Sequence, residues 1–251
     1  MYYTNQLRGD GFGANYQTMI YAILYAEVYC KCEFVYTKPN LKNTYQEEAD
    51  EYENIMNLSN CFKSIDDIED ISIVNIINFM DSYNTINSNI HMYMNSDSMK
   101  KIRLMFKENK NVDILDSEYF HIAIHIRRPS LHKNIDNIEE HGEGWHKDMS
   151  IDQLTICSHR FTSDDYFINI INTIRNTIDN PRKKFHIISE GKIEDFNNFK
   201  GEDILFHINE PVKDSYIYMV MSNILVVSRS SFSHAAALLN NNFAFNSNFI
   251  L

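Results

Sequence analysis

His121-Ile122-Ala123-Ile124-His125-Ile126-Arg127-Arg128 opens the half of the chain in which the pattern is most regular. Isoleucine at every second position, with small or imidazole side chains between and two arginines at the end, describes a strand that is buried on both faces, as in the interior of a parallel sheet. The residues downstream repeat the signal. Residues 164–178 read as an amphipathic helix, 184–188 as a strand, 193–199 as a short helix and 203–208 as a strand. A helix at 212–221, a strand at 223–227 and a closing helix at 232–239 complete the series. Alternation of this kind predicts a mostly parallel sheet with helices on both faces.

Upstream, Gly9-Asp10-Gly11-Phe12-Gly13 runs directly into residues 14–29, which are apolar almost all round and read as a glycine turn opening a buried helix. A short strand at 33–36 ends at Pro39. The stretch 40–110 is acidic and rich in Asn; helical pieces are expected at 45–56 and 73–80, and no chemistry can be assigned to it. The expected fold class is therefore α/β, and the length allows one large domain or two small ones.

Composition narrows the function. With 251 residues and 44% hydrophobic content the chain can bury a sizeable core. A net charge of -11 argues against an extended nucleic-acid surface, because a phosphate backbone recruits lysine and arginine in excess. Phosphate chemistry, if present, must be local. Four cysteines at 30, 32, 61 and 157 form no disulfide framework in a chain of this length, which favours a reducing compartment. The longest apolar run, 19–28, is too short to span a bilayer and is interrupted by Glu27, so a soluble, cytoplasmic protein without membrane contact is expected. Abundant Asn, Ile and Tyr point to an AT-biased genome, a matter of codons and not of mechanism.

Open parallel sheets bind ligands beyond the carboxyl ends of their strands. Three such ends are chemically loaded: His125-Ile126-Arg127-Arg128, Ser189-Glu190-Gly191, and Ser228-Arg229-Ser230-Ser231-Phe232-Ser233. Arg127 shares a face with His125, and neighbouring Arg128 points to the other side of the pleat. A guanidinium is permanently charged and offers a fork of donors matched to phosphate oxygens, which suits it to a departing diphosphate. The Ser230-Ser231-Phe232 turn enters a helix whose first N–H groups form a natural anion site.

The His125-Ile126-Arg127-Arg128 run resembles the H-x-R-R motif of the fucosyltransferase superfamily that includes the α1,2-, α1,6- and protein O-fucosyltransferases. Residues 214–240 (DSYIYMVMSNILVVSRSSFSHAAALLN) are similar to the closing motif of the α1,2 group, residues 185–190 (FHIISE) to its F-x-I-x-S-D element, and residues 11–17 (GFGANYQ) to its N-terminal glycine turn. The matches keep the family's order and leave 40–110 uncovered. The resemblance implies an α/β glycosyltransferase of GT-B type with two Rossmann-like lobes, residues 1–118 on the acceptor side and 119–251 binding the nucleotide sugar, that takes GDP-fucose as donor, inverts the anomeric carbon, needs no metal and acts on a glycan or glycoprotein acceptor. It also implies that Arg127 is catalytic, contacting the β-phosphate, and that the donor is bound by Gly13, Asn15, His125, Arg128, Ser189, Glu190, Ser230, Ser231 and Phe232. Pro129-Ser130 stand where the family often has Gly-Asp, and Glu190 stands in place of its Asp, so the sugar on the GDP is less firmly implied than the fold.

Each element has a plainer reading. Arg127 and Arg128 can cap a strand by ion pairing, the serine turn can be an ordinary helix N-cap, and the glycine turn lacks the spacing of a dinucleotide fingerprint. The segment 131–160, with His132, His141, His146 and His159 among glutamates, lacks any helical pair of metal-ligating histidines and reads as a solvated loop that can cover the acceptor. Trp145 within it is a sugar platform or a packing anchor. The acceptor base is not identified; Glu143, Asp136 and His132 qualify by chain position alone. The competing classes are a noncatalytic nucleotide-sugar or glycan-binding module on the same fold, and an α/β hydrolase, which would need a nucleophile elbow that the sequence lacks.

Overall fold

The computed structural model describes residues 1–8, 11–38, 46–108, 110, 114–128 and 162–246. The chain divides into two compact units, Met1–Asn111 and Val112–Leu251.

In the second unit, strands β4 (Phe120–His125), β5 (Lys183–Ser189), β6 (Ile204–Ile208), β7 (Ile224–Val227) and β8 (Phe243–Asn246) form one sheet in the order β6-β5-β4-β7-β8, and every neighbouring pair is parallel. The chain lays down β4, β5 and β6 toward one edge, then returns to the other side of β4 to place β7 and β8. Strand order therefore reverses between β4 and β7, which is where a doubly wound sheet opens a crevice for ligands. Helices α6 (Asp164–Thr177), α7 (Val212–Met221) and α8 (Ser231–Leu239) are among the connections.

The period-2 alternation of β4 and β5 produces two unlike faces. Ile122, Ile124, Phe185, Ile187, Ile224 and Val226 point one way and pack on Phe167, Ile171 and Ile174 of α6 and on Phe196 and Phe199. The amphipathic spacing of α6 places its apolar stripe on this face. The opposite face carries His121, Ala123, His125, His186 and His207, with α7 against it. At the foot of that helix, Asn240 donates from Nδ2 to the carbonyls of Met219 and Ser222 at 3.0 Å each, tying the end of α7 to the end of α8.

The first unit has a three-stranded parallel sheet, order β2-β1-β3, from β1 (Tyr2–Asn5), β2 (Glu33–Phe34) and β3 (Val74–Ile77). Helix α1 (Phe12–Leu24) begins after Gly11, two residues earlier than the sequence suggested, and passes at its end into a π-helical turn, Tyr25–Tyr29. Helices α2 (Gln46–Met56), α3 (Phe79–Asn87), α4 (Ile90–Met94) and α5 (Asp97–Lys107) complete it. Of residues 73–80, expected to be helical, Val74–Ile77 form strand β3 and only the last two are α-helical. The β-branched run Ile73-Val74-Asn75-Ile76-Ile77 pairs with β1, Tyr2 opposite Val74 through Asn5 opposite Ile77, and the helix starts only after Asn78, whose side chain accepts from the backbone of Met80 and Asp81. The partner strand β1, the edge strand β8 and helices α3 to α5 were not foreseen.

The histidine-rich insert at 131–160, with Trp145, His132, Asp136 and Glu143, lies outside the described residues. Among the described residues no helix is long and apolar enough to cross a membrane.

Candidate functional site

Residues at the carboxyl ends of β4 and β7 meet across the reversal of strand order. His125, the last residue of β4, is buried, and its Nδ1 lies 2.8 Å from the hydroxyl of Ser228, just beyond β7. The ring of Phe232 stands edge-on to the imidazole at 5.4 Å, and Tyr216 of α7 packs against Phe232 at 5.5 Å. Burial first, and then the charge of Arg127, push the His125 imidazole down to about 3, so it is neutral at physiological pH. A neutral His125 can position other groups and cannot supply a positive charge.

Two arginines come next in the chain, and the structure gives them different surroundings. Arg127 is partly buried and lies within electrostatic reach of His125. Arg128 donates from Nη2 to Oδ1 of Asp164 at 2.6 Å, with both side chains largely shielded from solvent, and its guanidinium lies 4.8 Å from the centre of the Phe196 ring. Thus Asp164, at the start of α6, neutralises Arg128 in addition to favouring the helix dipole. The ion pair fixes the chain direction at the end of β4.

The serine corner is built from β7 and α8. Ser230 is buried and caps α8, its hydroxyl oxygen accepting from the backbone N–H of Phe232 at 3.3 Å. Ser231 is the first helical residue. The Ser233 hydroxyl donates toward the carbonyls of Ser228 and Ser230 at 3.4 Å, which tightens the corner from within. A helix entering from such a turn presents the positive end of its dipole to the rim.

Beside β4, the buried Ser189 hydroxyl donates to the carbonyl of Ile126 at 2.6 Å and so holds the ends of β5 and β4 together. Glu190 is exposed at this rim. The neighbouring loops are clasped by a reciprocal pair: the Asn209 side chain accepts from Gly191 N at 3.0 Å and donates to Gly191 O at 2.8 Å. Asn209 and Gly191 both take positive φ, 57° and 123°. Gly13 and Asn15 belong to the first unit, in the opening turn of α1, where Asn15 is buried and donates to Gly11 O at 3.3 Å.

The second unit thus brings together His125, Arg127, Arg128, Ser189, Glu190, Ser230, Ser231 and Phe232 along the carboxyl rim of one sheet. The sequence reading missed the partners: Ser228 for His125, Asp164 for Arg128 and Asn209 for Gly191. A buried polar side chain at a strand end must find a hydrogen-bond partner, and that requirement was the available signal. It also missed three further buried histidines, 121, 186 and 207, each lodged in an apolar strand. Among the described residues no group of three or more His, Cys, Asp or Glu is arranged to hold a metal ion.

Fold and site define a mixed α/β protein with two parallel sheets, the larger one carrying arginines and a serine-capped helix start at its strand-order reversal. No family model matches the chain, and no curated protein matches it. Among solved structures the chain is weakly similar to POFUT1 in complex with GDP, at 13% identity and a TM-score of 0.34, covering 98% of this chain and 73% of that one. A TM-score of that size does not define a common fold.

Proposed function

We propose that the chain is an inverting glycosyltransferase that transfers a sugar, fucose in the first instance, from a GDP-sugar to a hydroxyl of a glycan or protein, with residues 1–118 serving the acceptor and 119–251 the donor. The observation that supports this reading is the place of Arg127 in the chain: it lies two residues beyond His125, which contacts Ser228 across the strand-order reversal where the capped N-terminus of α8 also begins.

In this reading, transfer is a single displacement at the anomeric carbon. The acceptor oxygen forms the new bond as the bond to the diphosphate breaks, the electron pair leaves with GDP, and the acceptor's hydroxyl proton is released to solvent. Negative charge grows on the β-phosphate. Arg127 and the N-terminal turn at Ser230 and Ser231 are preorganised to stabilise it, an interaction that strengthens in the transition state and so raises the rate. Neutral His125, held by Ser228, shapes the donor pocket with Phe232. Ser189 and Glu190 lie on the nucleoside side, and Arg128 supports the rim from its ion pair with Asp164. Gly13 and Asn15 of the first unit are the further donor contacts that the resemblance implies.

The test is direct. GDP, UDP and CMP are each added to the full chain and thermal unfolding is followed, since a ligand that binds only the folded state raises the midpoint. GDP-fucose is then offered with glycan and protein acceptors while GDP release is measured. Selective stabilisation by GDP, with acceptor-dependent release, is the expected result. Binding of GDP without turnover would identify a noncatalytic module, and indifference to all three nucleotides would overturn the reading.

A further inference from the structure

Three histidines from three adjacent strands form a continuous hydrogen-bonded ladder across the sheet. His121 Nε2 lies 2.6 Å from the carbonyl of Asp116; His121 Nδ1 lies 2.8 Å from His186 Nε2; His186 Nδ1 lies 2.8 Å from His207 Nε2; and His207 Nδ1 lies 2.8 Å from Oε1 of Glu210. The ladder runs diagonally, from Asp116, ahead of β4 at the amino edge of the sheet, to Glu210, beyond β6 at its carboxyl edge. There Glu210 adjoins Asn209, which clasps Gly191 next to Glu190.

Counting protons exposes a mismatch. Each of the four contacts needs one proton between its two heavy atoms. A neutral imidazole carries one ring proton, so three neutral histidines provide three. Both ends of the ladder, a peptide carbonyl and a carboxylate, are acceptors only. Whichever way the tautomers run, one contact is left with lone pair against lone pair unless a fourth proton is bound.

The surroundings choose its place. His186 is buried between two other imidazoles and on the side of the sheet that carries Lys184, and burial leads the causes that drive it toward the neutral form. At the His121 end the partner is an uncharged carbonyl, with the Tyr119 ring, itself beneath the Lys184 ammonium, alongside. At the other end Glu210 can compensate a positive ring directly, and its side chain is 33% exposed, open to exchange with solvent. From α7, Tyr218 stacks on His186 at 5.3 Å and lies tilted against His207 at 4.1 Å, and the charges of Glu210 and Asp214 reach Tyr218.

We propose that the ladder is a proton-binding site holding one proton beyond those of three neutral imidazoles, shared between His207 and Glu210, and that its occupancy locks the turn joining β6 to α7 at the carboxyl rim. Loss of this proton sets a nitrogen lone pair against a carboxylate oxygen and opens the contact; gain of another sets two protons in one contact and opens it as well.

Nitrogen-15 NMR of the full chain, labelled in histidine, reads the tautomers directly at neutral pH, with the Glu210 carboxyl carbon observed in parallel. His121 and His186 are expected to carry a proton on Nε2 alone, with the His207–Glu210 pair holding two, either as a doubly protonated ring facing a carboxylate or as a singly protonated ring facing a carboxylic acid. A singly protonated His207 together with an ionised Glu210 overturns the proposal. Glu210→Gln is the second arm: its amide N–H donates to His207 Nδ1 and replaces the titratable proton by a fixed one. In that variant all three rings are expected to be singly protonated on Nε2 at neutral pH. A doubly protonated His121 or His186 in the variant would overturn it. If the variant does not fold, the wild-type spectra decide.

Discussion

His125 Nδ1 and the Ser228 hydroxyl lie 2.8 Å apart, a side-chain hydrogen bond that joins the end of β4 to the end of β7 across the point where strand order reverses. Both groups are buried. Removing the hydroxyl leaves an imidazole nitrogen with no partner in a place water does not reach, at a cost of roughly 1–3 kcal/mol. Ser228→Ala should therefore lower stability by that amount in urea titration, with Ser228→Thr recovering part of the loss.

The adjacent arginines should separate cleanly. Arg128→Ala strands Asp164 in a shielded position and should destabilise the fold by about 3 kcal/mol, because breaking one half of a buried pair leaves a charge unpaired. Arg127→Ala should reduce the proposed sugar transfer by about 10²–10³-fold, the usual loss when one transition-state donor is removed. Arg127→Lys should fall between wild type and Arg127→Ala in transfer, keeping charge and losing the fork. Unfolding midpoints and GDP release measured on the three variants check both halves.

Acid should unfold the protein through two histidines. His125 and His186 are each lowered to about 3, mainly by burial, from an ordinary value near 6.5. The unfolded chain therefore binds these protons first. The stability they contribute is complete above about 6.5 and is lost as pH falls toward 3, at about 1.4 kcal/mol per pH unit for each histidine. Denaturant midpoints measured across that range should decline, and the decline should lessen in a His186→Gln variant that folds. A flat profile would refute the assignment.

Gly201 should not tolerate a side chain. Its φ of 140° is poorly accessible to other residues, and a β-carbon there would collide with the Arg175 guanidinium and the Asp203 carboxylate, which are joined by Arg175 Nε to Asp203 Oδ2 at 2.9 Å and by a second, shorter contact. Gly201→Ala should cost about 1–3 kcal/mol by chemical denaturation.

The regular half of the chain was legible because its signals are local. Ile122, Ile124, Phe185 and Ile187 alternate with the period of a strand, and α6 carries its apolar residues with the period of a helix, so neither needed knowledge of distant partners. The first unit was less legible. Residues 74–77 form a strand because Tyr2–Asn5 lies beside them, far away in the chain, and no local pattern announces that pairing.

The sequence by itself determined the alternation of strands and helices, the apolar face of the larger sheet and the cluster of polar residues at its strand ends, since these follow from spacing and side-chain chemistry. Tertiary structure alone decided that Arg128 would be occupied by Asp164, that His125 would meet Ser228, and that His121, His186 and His207 would stand in line. Each of those contacts joins residues from different elements, and the strand order and register that bring them into hydrogen-bonding range arise only when the whole sheet is assembled.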